Sequence, residues 1–123
     1  MLSDQKIITT YIKRQIEAFI VEMDDFYPFG AAVTNDGELK PLAAYLDDDE
    51  TSVEALLPIL ENHIQTHIGN YKYRLCAIAL SVLIKENGSS FDAVQIRFYQ
   101  NSKETAQVNY KYLKGEKKAI VWL

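Results

Sequence analysis

The stretch from Tyr73 to Lys85 is dense in Leu, Ile, Val and Ala, and its apolar heart, Cys76 to Ile84, is broken only by Ser81. Nine residues are far too few to cross a bilayer as a helix. The run is read instead as a long strand near the middle of a sheet. The residues beyond it have strand character too. Asn87-Gly88-Ser89-Ser90 is a turn, and Ala93 to Gln100 alternates, with Val94, Ile96 and Phe98 on one side and Gln95, Arg97 and Tyr99 on the other. After a second turn at Asn101 to Glu104, Thr105 to Leu113 puts Ala106, Val108, Tyr110 and Tyr112 opposite Gln107, Asn109 and Lys111. Lys114-Gly115-Glu116 allows a last reversal before Ala119 to Leu123.

The first half of the chain has a different period. Ile8, Ile12, Ile16, Phe19, Met23 and Phe26 recur in steps of three and four, which predicts a helix from Asp4 to Phe26 with Ser3 or Asp4 at its cap. Pro28 disfavours helical geometry at Tyr27 and stops it. Phe29 to Thr34 and Leu39 to Leu46 flank Asn35-Asp36-Gly37, residues that tolerate the positive φ of a tight turn, and so predict a hairpin with Pro41 at an edge. Thr51-x-x-Glu54 fits a capping box, and the acidic run Asp47-Asp48-Asp49-Glu50 sits at the positive end of the helix it opens. Val53, Leu57, Leu60, Ile64 and Ile68 form the stripe of this second helix, which Gly69-Asn70 ends. The order is helix, two strands, helix, then three or four strands. Hairpins with segregated helices predict an α+β fold: one antiparallel sheet of five or six strands, with both helices packed on one face, in a single domain.

Composition narrows the function classes. In 123 residues, 48% hydrophobic and 24% charged, there is enough core for one domain, and disorder is excluded as the main state. A net charge of −4 argues against a general nucleic-acid or anionic-membrane binder. The single Cys cannot form an internal disulfide, and the N-terminal residues lack a secretion signal, so a soluble cytoplasmic protein is expected. Charge is unevenly spread. The first 70 residues hold 13 acidic and 4 basic side chains, and the remaining 53 hold 4 and 9. With both helices on one face, the molecule would be electrically two-sided and suited to association.

Candidate functional residues fall into three groups. Asp24, Asp25 and Tyr27, with Asp47, Asp48, Asp49 and Glu50, form an acidic edge for contact or, as paired carboxylates, for acid–base or hard-cation chemistry. The spacing of a calcium loop is absent, and nothing supplies an apolar pocket to raise a carboxylate pKa. Arg97, Tyr99 and Lys111, beside Gln95, Gln107 and Asn109, make a polar strand face whose Tyr and Arg suit a protein interface or the stacking of single-stranded bases. His63-x-x-x-His67 brings two imidazoles to one helix face as metal ligands do, but Ile-Gln-Thr between them lacks a general-base Glu. Cys76 is read as core. No phosphate loop, nucleophile elbow, CxxC or dinucleotide fingerprint occurs, and no cofactor or metal is expected.

The string Phe26-Tyr27-Pro28-Phe29-Gly30, followed by Asn35-Asp36-Gly37-Glu38 and Ala43-Ala44-Tyr45, resembles a family of small uncharacterised bacterial proteins sharing an FYPFG corner, a DG hairpin and an AAY strand. The match covers about residues 22–46. Some proteins similar to these lie beside polymorphic toxins and are taken as their immunity proteins. The resemblance implies a protein partner and supplies no catalytic residues. The corner is also explained by packing alone, with Gly30 permitting close helix–strand approach. Separately, the element order is similar to roadblock and profilin-like modules. The expectation is a non-enzymatic protein-binding module, a homodimer, acting through its acidic edge or its polar strand face, in its most concrete form an inhibitor that masks a toxin. The alternatives are a small hydrolase or metal-dependent enzyme using Asp24, Asp25, Tyr27 or the His pair, and a single-strand nucleic-acid binder through Arg97, Tyr99 and Lys111.

Overall fold

Buried positions in β3 (Tyr73–Glu86) run without interruption from Leu75 to Leu80, so this strand is covered on both of its faces. The computed structural model describes residues 3–23, 26–42, 53–69, 73–100 and 103–123. Around β3 lie α1 (Asp4–Met23), β1 (Phe29–Thr34), β2 (Leu39–Leu42), α2 (Val53–Gly69), β4 (Ser89–Gln100), β5 (Lys103–Lys114), a short 3-10 turn at Glu116–Lys118 and β6 (Ile120–Trp122). The strands form one antiparallel sheet in the order β2-β1-β3-β4-β5-β6. The α+β class therefore holds, while the roadblock and profilin analogy gains no support.

Helix α1 is held by a strict every-fourth stripe. Ile8, Ile12, Ile16 and Ile20 are fully buried, and burial of one such side chain is worth roughly 1.5–3 kcal/mol. Ser3 caps the helix, its Oγ accepting from the Lys6 N–H at 3.2 Å. Asp4 is left to take a two-pronged contact from Arg74 (2.8 and 2.9 Å), which ties the start of α1 to the start of β3. The isoleucines lie on Ala31 and Val33 of β1, Leu75, Ala77 and Ala79 of β3, and Val94, Ile96 and Phe98 of β4. Phe29 closes this inner core edge-on to Phe19 and Phe26, with ring centroids 5.3 and 5.9 Å apart. Near the far edge, Trp122 Nε1 donates to Glu17 at 2.9 Å.

Helix α2 corrects the expectation of one helix-covered face. Leu60 and Ile64 pack with Ala32, Leu42, Cys76, Ile78, Leu80 and Tyr99. These strand residues have the opposite parity to those beneath α1, so the two helices lie on opposite faces of the sheet. The physical reason is the composition of β3, apolar at both parities and therefore in need of a cover on each side. The electrically two-sided molecule loses its premise with it. The first hairpin turns at Asn35-Asp36-Gly37 as expected, with Gly37 at φ +86° and the Thr34 N–H donating to the Glu38 carbonyl (2.9 Å). The predicted end of helix one at 24–26, the strand continuation at 43–46 and the Thr51 cap lie wholly or partly outside the described residues.

Candidate interaction surface

α2 covers only part of its face. The outer side chains of β3, β4 and β5 line up in cross-strand rows set by the register: Cys76 beside Tyr99, Ile78 beside Arg97 and Gln107, Leu80 beside Gln95 and Asn109, Val82 beside Ala93 and Lys111. A further row runs Ile84, Phe91, then Leu113 one step past the Asp92–Tyr112 pair, then Val121 of β6. The helix buries the β1–β3 side and Tyr99. Gln107 and Asn109 stay exposed, Gln95, Arg97 and Lys111 are half-buried, and Leu113 and Val121 keep 49% and 55% of their surface. The outer face is thus a covered apolar end, a polar middle and an open apolar row.

Each charge in the middle is held by a neighbour. Arg97 Nε donates to Gln95 Oε1 at 3.0 Å and lies 3.9 Å from a Glu104 carboxylate oxygen. Lys111 Nζ donates to Glu86 Oε2 at 2.8 Å and sits 5.0 Å over the Phe91 ring. Glu86, Phe91, Glu104, Leu113 and Val121 were not among the residues expected from the sequence. Glu86 and Phe91 carried a signal, since they share the outer parity of β3 and β4 that the Asn87-Gly88 turn pairs, and Leu113 shares the parity of Lys111; Glu104 reaches this face only through the bulge between Phe98 and Tyr99, which leaves no mark in the sequence.

The sequence-derived candidates separate in space. Arg97 and Lys111 lie on this surface. Tyr99 corrects the expectation of an accessible contact residue, for it is only 6% exposed and packs in the cluster that Leu60 and Ile64 form beneath α2. Burial pushes its hydroxyl pKa up, helped by the Glu61 and Glu104 carboxylates and opposed by Arg97. Without that ring, the stacking trio proposed for single-stranded bases has lost its aromatic member. Tyr27 is 52% exposed, between α1 and β1. Asp24, Asp25, Asp47, Asp48, Asp49 and Glu50 lie outside the described residues. His63 is 3.4 Å from the Tyr73 hydroxyl, its ring tilted against the tyrosine, and the side chain of His67 lies outside the described residues. Among the described residues no three His, Cys, Asp or Glu side chains converge as a metal site would require.

Two clefts flank the sheet. One of about 390 Å³ lies between the start of α1 and Phe98, Thr105 and Ala106, and another of about 250 Å³ lies between Pro41 and Leu42 of β2 and Ile59 and His63 of α2. The first holds the hydroxyls of Ser3 and Thr105 with Asp4, whose carboxylate is taken up by Arg74, and the second holds His63 with Tyr73 and Lys40. The thiol of Cys76 is buried under α2 and pushed up by desolvation to about 12, which leaves it protonated and inert at neutral pH. Among the described residues no helix is long and apolar enough to cross a membrane.

Fold and surface together define a class: an α+β domain whose six-stranded sheet is covered by one helix on each side and left partly open on one. No family model, curated protein or solved structure matches this chain.

Proposed function

We propose that this chain is a non-enzymatic protein-binding module that meets its partner with the open part of the outer sheet face. The observation that carries this reading is the incomplete cover by α2. It leaves Gln95, Arg97, Gln107 and Asn109 beside an apolar row of Ile84, Phe91, Leu113 and Val121. Protein interfaces combine an apolar, aromatic centre with Arg and a polar surround. Here Arg97 is already held by Gln95 and Glu104, so little side-chain freedom remains to be lost on binding.

The resemblance to the FYPFG family gives this reading its most concrete form, an immunity-type inhibitor acting in a bacterial cytoplasm by masking a toxin. The acidic residues Asp24, Asp25 and Asp47 to Glu50 then steer a basic partner such as a nuclease toward the chain. The protein works as a homodimer, the two copies meeting away from the open face. The test is affinity capture with the full chain as bait, followed by binding measurements on the captured partner. Phe91→Asp with Arg97→Glu should weaken binding by about a hundredfold, as loss of a central anchor does. Undiminished binding by a folded double variant refutes the open-face reading. Unchanged binding after Asp47→Lys, Asp48→Lys and Asp49→Lys together removes the acidic edge from it.

A further inference from the structure

We propose that two copies of this chain join edge to edge through β5, antiparallel about a two-fold axis at Gln107, to make one continuous sheet. The two edges of the sheet differ. β2, described over Leu39–Leu42, carries Pro41, which donates nothing; a proline blunts an edge against further pairing. β5 is twelve residues long, but β6 pairs only with Tyr112 to Lys114, and the Leu123 N–H adds one bond to the Lys111 carbonyl (3.0 Å). From Glu104 to Tyr110 the outer edge of β5 has no strand beside it among the described residues. That segment holds no Pro and no Gly, and Thr105 to Tyr110 is uncharged. Among the described residues, the one usual device against strand addition on this segment is the bulge between Glu104 and Ala106, which lies at its start and leaves Ala106 to Tyr110 regular.

The backbone alternation and the charges both specify a second copy. Because Lys111 turns its carbonyl to β6, Asn109 and Gln107, of the same parity, turn their N–H and C=O groups to the free edge, while Val108 and Ala106 face β4. Gln107 is the midpoint of the free segment. A two-fold axis there lets the two Gln107 residues exchange a pair of backbone hydrogen bonds and sets Ala106 opposite Val108 of the second copy. Leu123 occupies the place beside Lys111 and fixes where the partner strand must end. The bulge between Phe98 and Tyr99 pairs Glu104 with Tyr99, on the outer face with Asn109 and Lys111. Antiparallel pairing then brings Glu104 of each copy opposite Asn109 and diagonal to Lys111 of the other, a distance long side chains reach. The result is a row of alternating charge, Arg97, Glu104, Lys111, Glu86, running across the joint, of which the contacts within each copy already exist.

Sedimentation equilibrium of the full chain tests this. The wild type is expected to be a dimer at about 100 μM, where even a weak edge contact of tens of micromolar is mostly formed. Gln107→Pro removes an N–H that faces the free edge among the described residues and should give a monomer with the native circular dichroism spectrum. Should that variant lose the native spectrum, the charges decide. Glu104→Lys and Lys111→Glu should each weaken the dimer about fivefold, and the double swap, which restores the pair across the joint but sets like charges beside Arg97 and Glu86, should associate more tightly than either single variant. A wild type that remains monomeric overturns the proposal. So does a dimer that neither the proline nor the charge variants weaken. Phe91→Asp, on the open face and off the edge, should leave the dimer unchanged, which separates this joint from the partner-binding surface.

Discussion

Replacing Gly30 by Ala tests how tightly the FYPFG corner is bound to the centre of the sheet. Gly30 sits in β1 opposite Ile78 of β3, and a Cβ built on it would lie 2.5 Å from the Ala77 carbonyl oxygen and 3.4 Å from Leu42 Cβ. The glycine thus permits close approach of strand to strand, not of helix to strand. Ordinary van der Waals contact begins near 3.4 Å, so the oxygen would have to yield by about 0.9 Å. It belongs to the backbone of β3, which is paired on its other side with β4 from Cys76 to Glu86, and it has little room to recede. Overpacking of this kind costs about 1–3 kcal/mol, and the clash with backbone favours the upper part of that range. The smaller unfolded-state entropy of Ala returns about 0.4–1 kcal/mol, leaving a net loss of roughly 2 kcal/mol. With an unfolding entropy of about 2.1 cal/mol/K per residue over 123 residues, that loss lowers Tm by about 8 °C. Thermal unfolding followed by circular dichroism reads it directly. Gly88→Asn is the comparison, since Gly88 has φ +80° with nothing within 4 Å and Asn tolerates that conformation. A Tm for Gly30→Ala within about 2 °C of the wild type would refute the packing argument.

Tyr99→Ala should destabilise by about 3–5 kcal/mol, as loss of a buried aromatic does, whereas Tyr99→Phe should fold normally; equal, small effects in urea unfolding would return Tyr99 to the accessible surface. Cys76 should resist thiol reagents at pH 8 until the chain is unfolded, and rapid labelling of native protein would contradict its burial. The pH dependence comes from the sign of its shift. The buried thiol keeps its proton up to about 12 while the unfolded one loses it near 9, so the native state loses stability as pH rises above 9. Tyr11, Tyr73 and Tyr99, also raised by burial, add in the same direction, so Cys76→Ala should reduce that alkaline slope without abolishing it.

The elements were legible because each rests on a local signal. The isoleucine spacing marks α1, Asn35-Asp36-Gly37 and Asn87-Gly88 mark the hairpins, and the alternation in 93–100 and 105–113 marks β4 and β5. The stripe on α1 drifted: the buried isoleucines step by four as far as Ile20, which leaves Met23 off their line and 52% exposed. On α2, Leu56 is buried and Leu57 only half-buried, a rotation set by where Leu60 and Ile64 meet β3. The side chosen by each helix is tertiary and has no local signature. The double-parity apolar run Leu75 to Leu80 did hold it, since a strand covered on one side alone would alternate. The same arrangement explains the mixed fate of the polar strand face. Tyr99 shares parity with Arg97 and Gln95, but its place beside Cys76 puts it under α2, and only the strand register reveals that. The acidic candidates Asp24, Asp25 and Asp47 to Glu50 lie outside the described residues.

The placement of α2 on the face opposite α1 underlies both the open surface and the fate of Tyr99. Methyl–methyl nuclear Overhauser contacts in the full chain measure it most directly. Leu60 and Ile64 should show contacts to Ile78 and Leu80 and none to Val94 or Ile96, whose methyls should instead meet the isoleucines of α1. Contacts from Leu60 or Ile64 to Val94 and Ile96 would put both helices on one side and contradict the account.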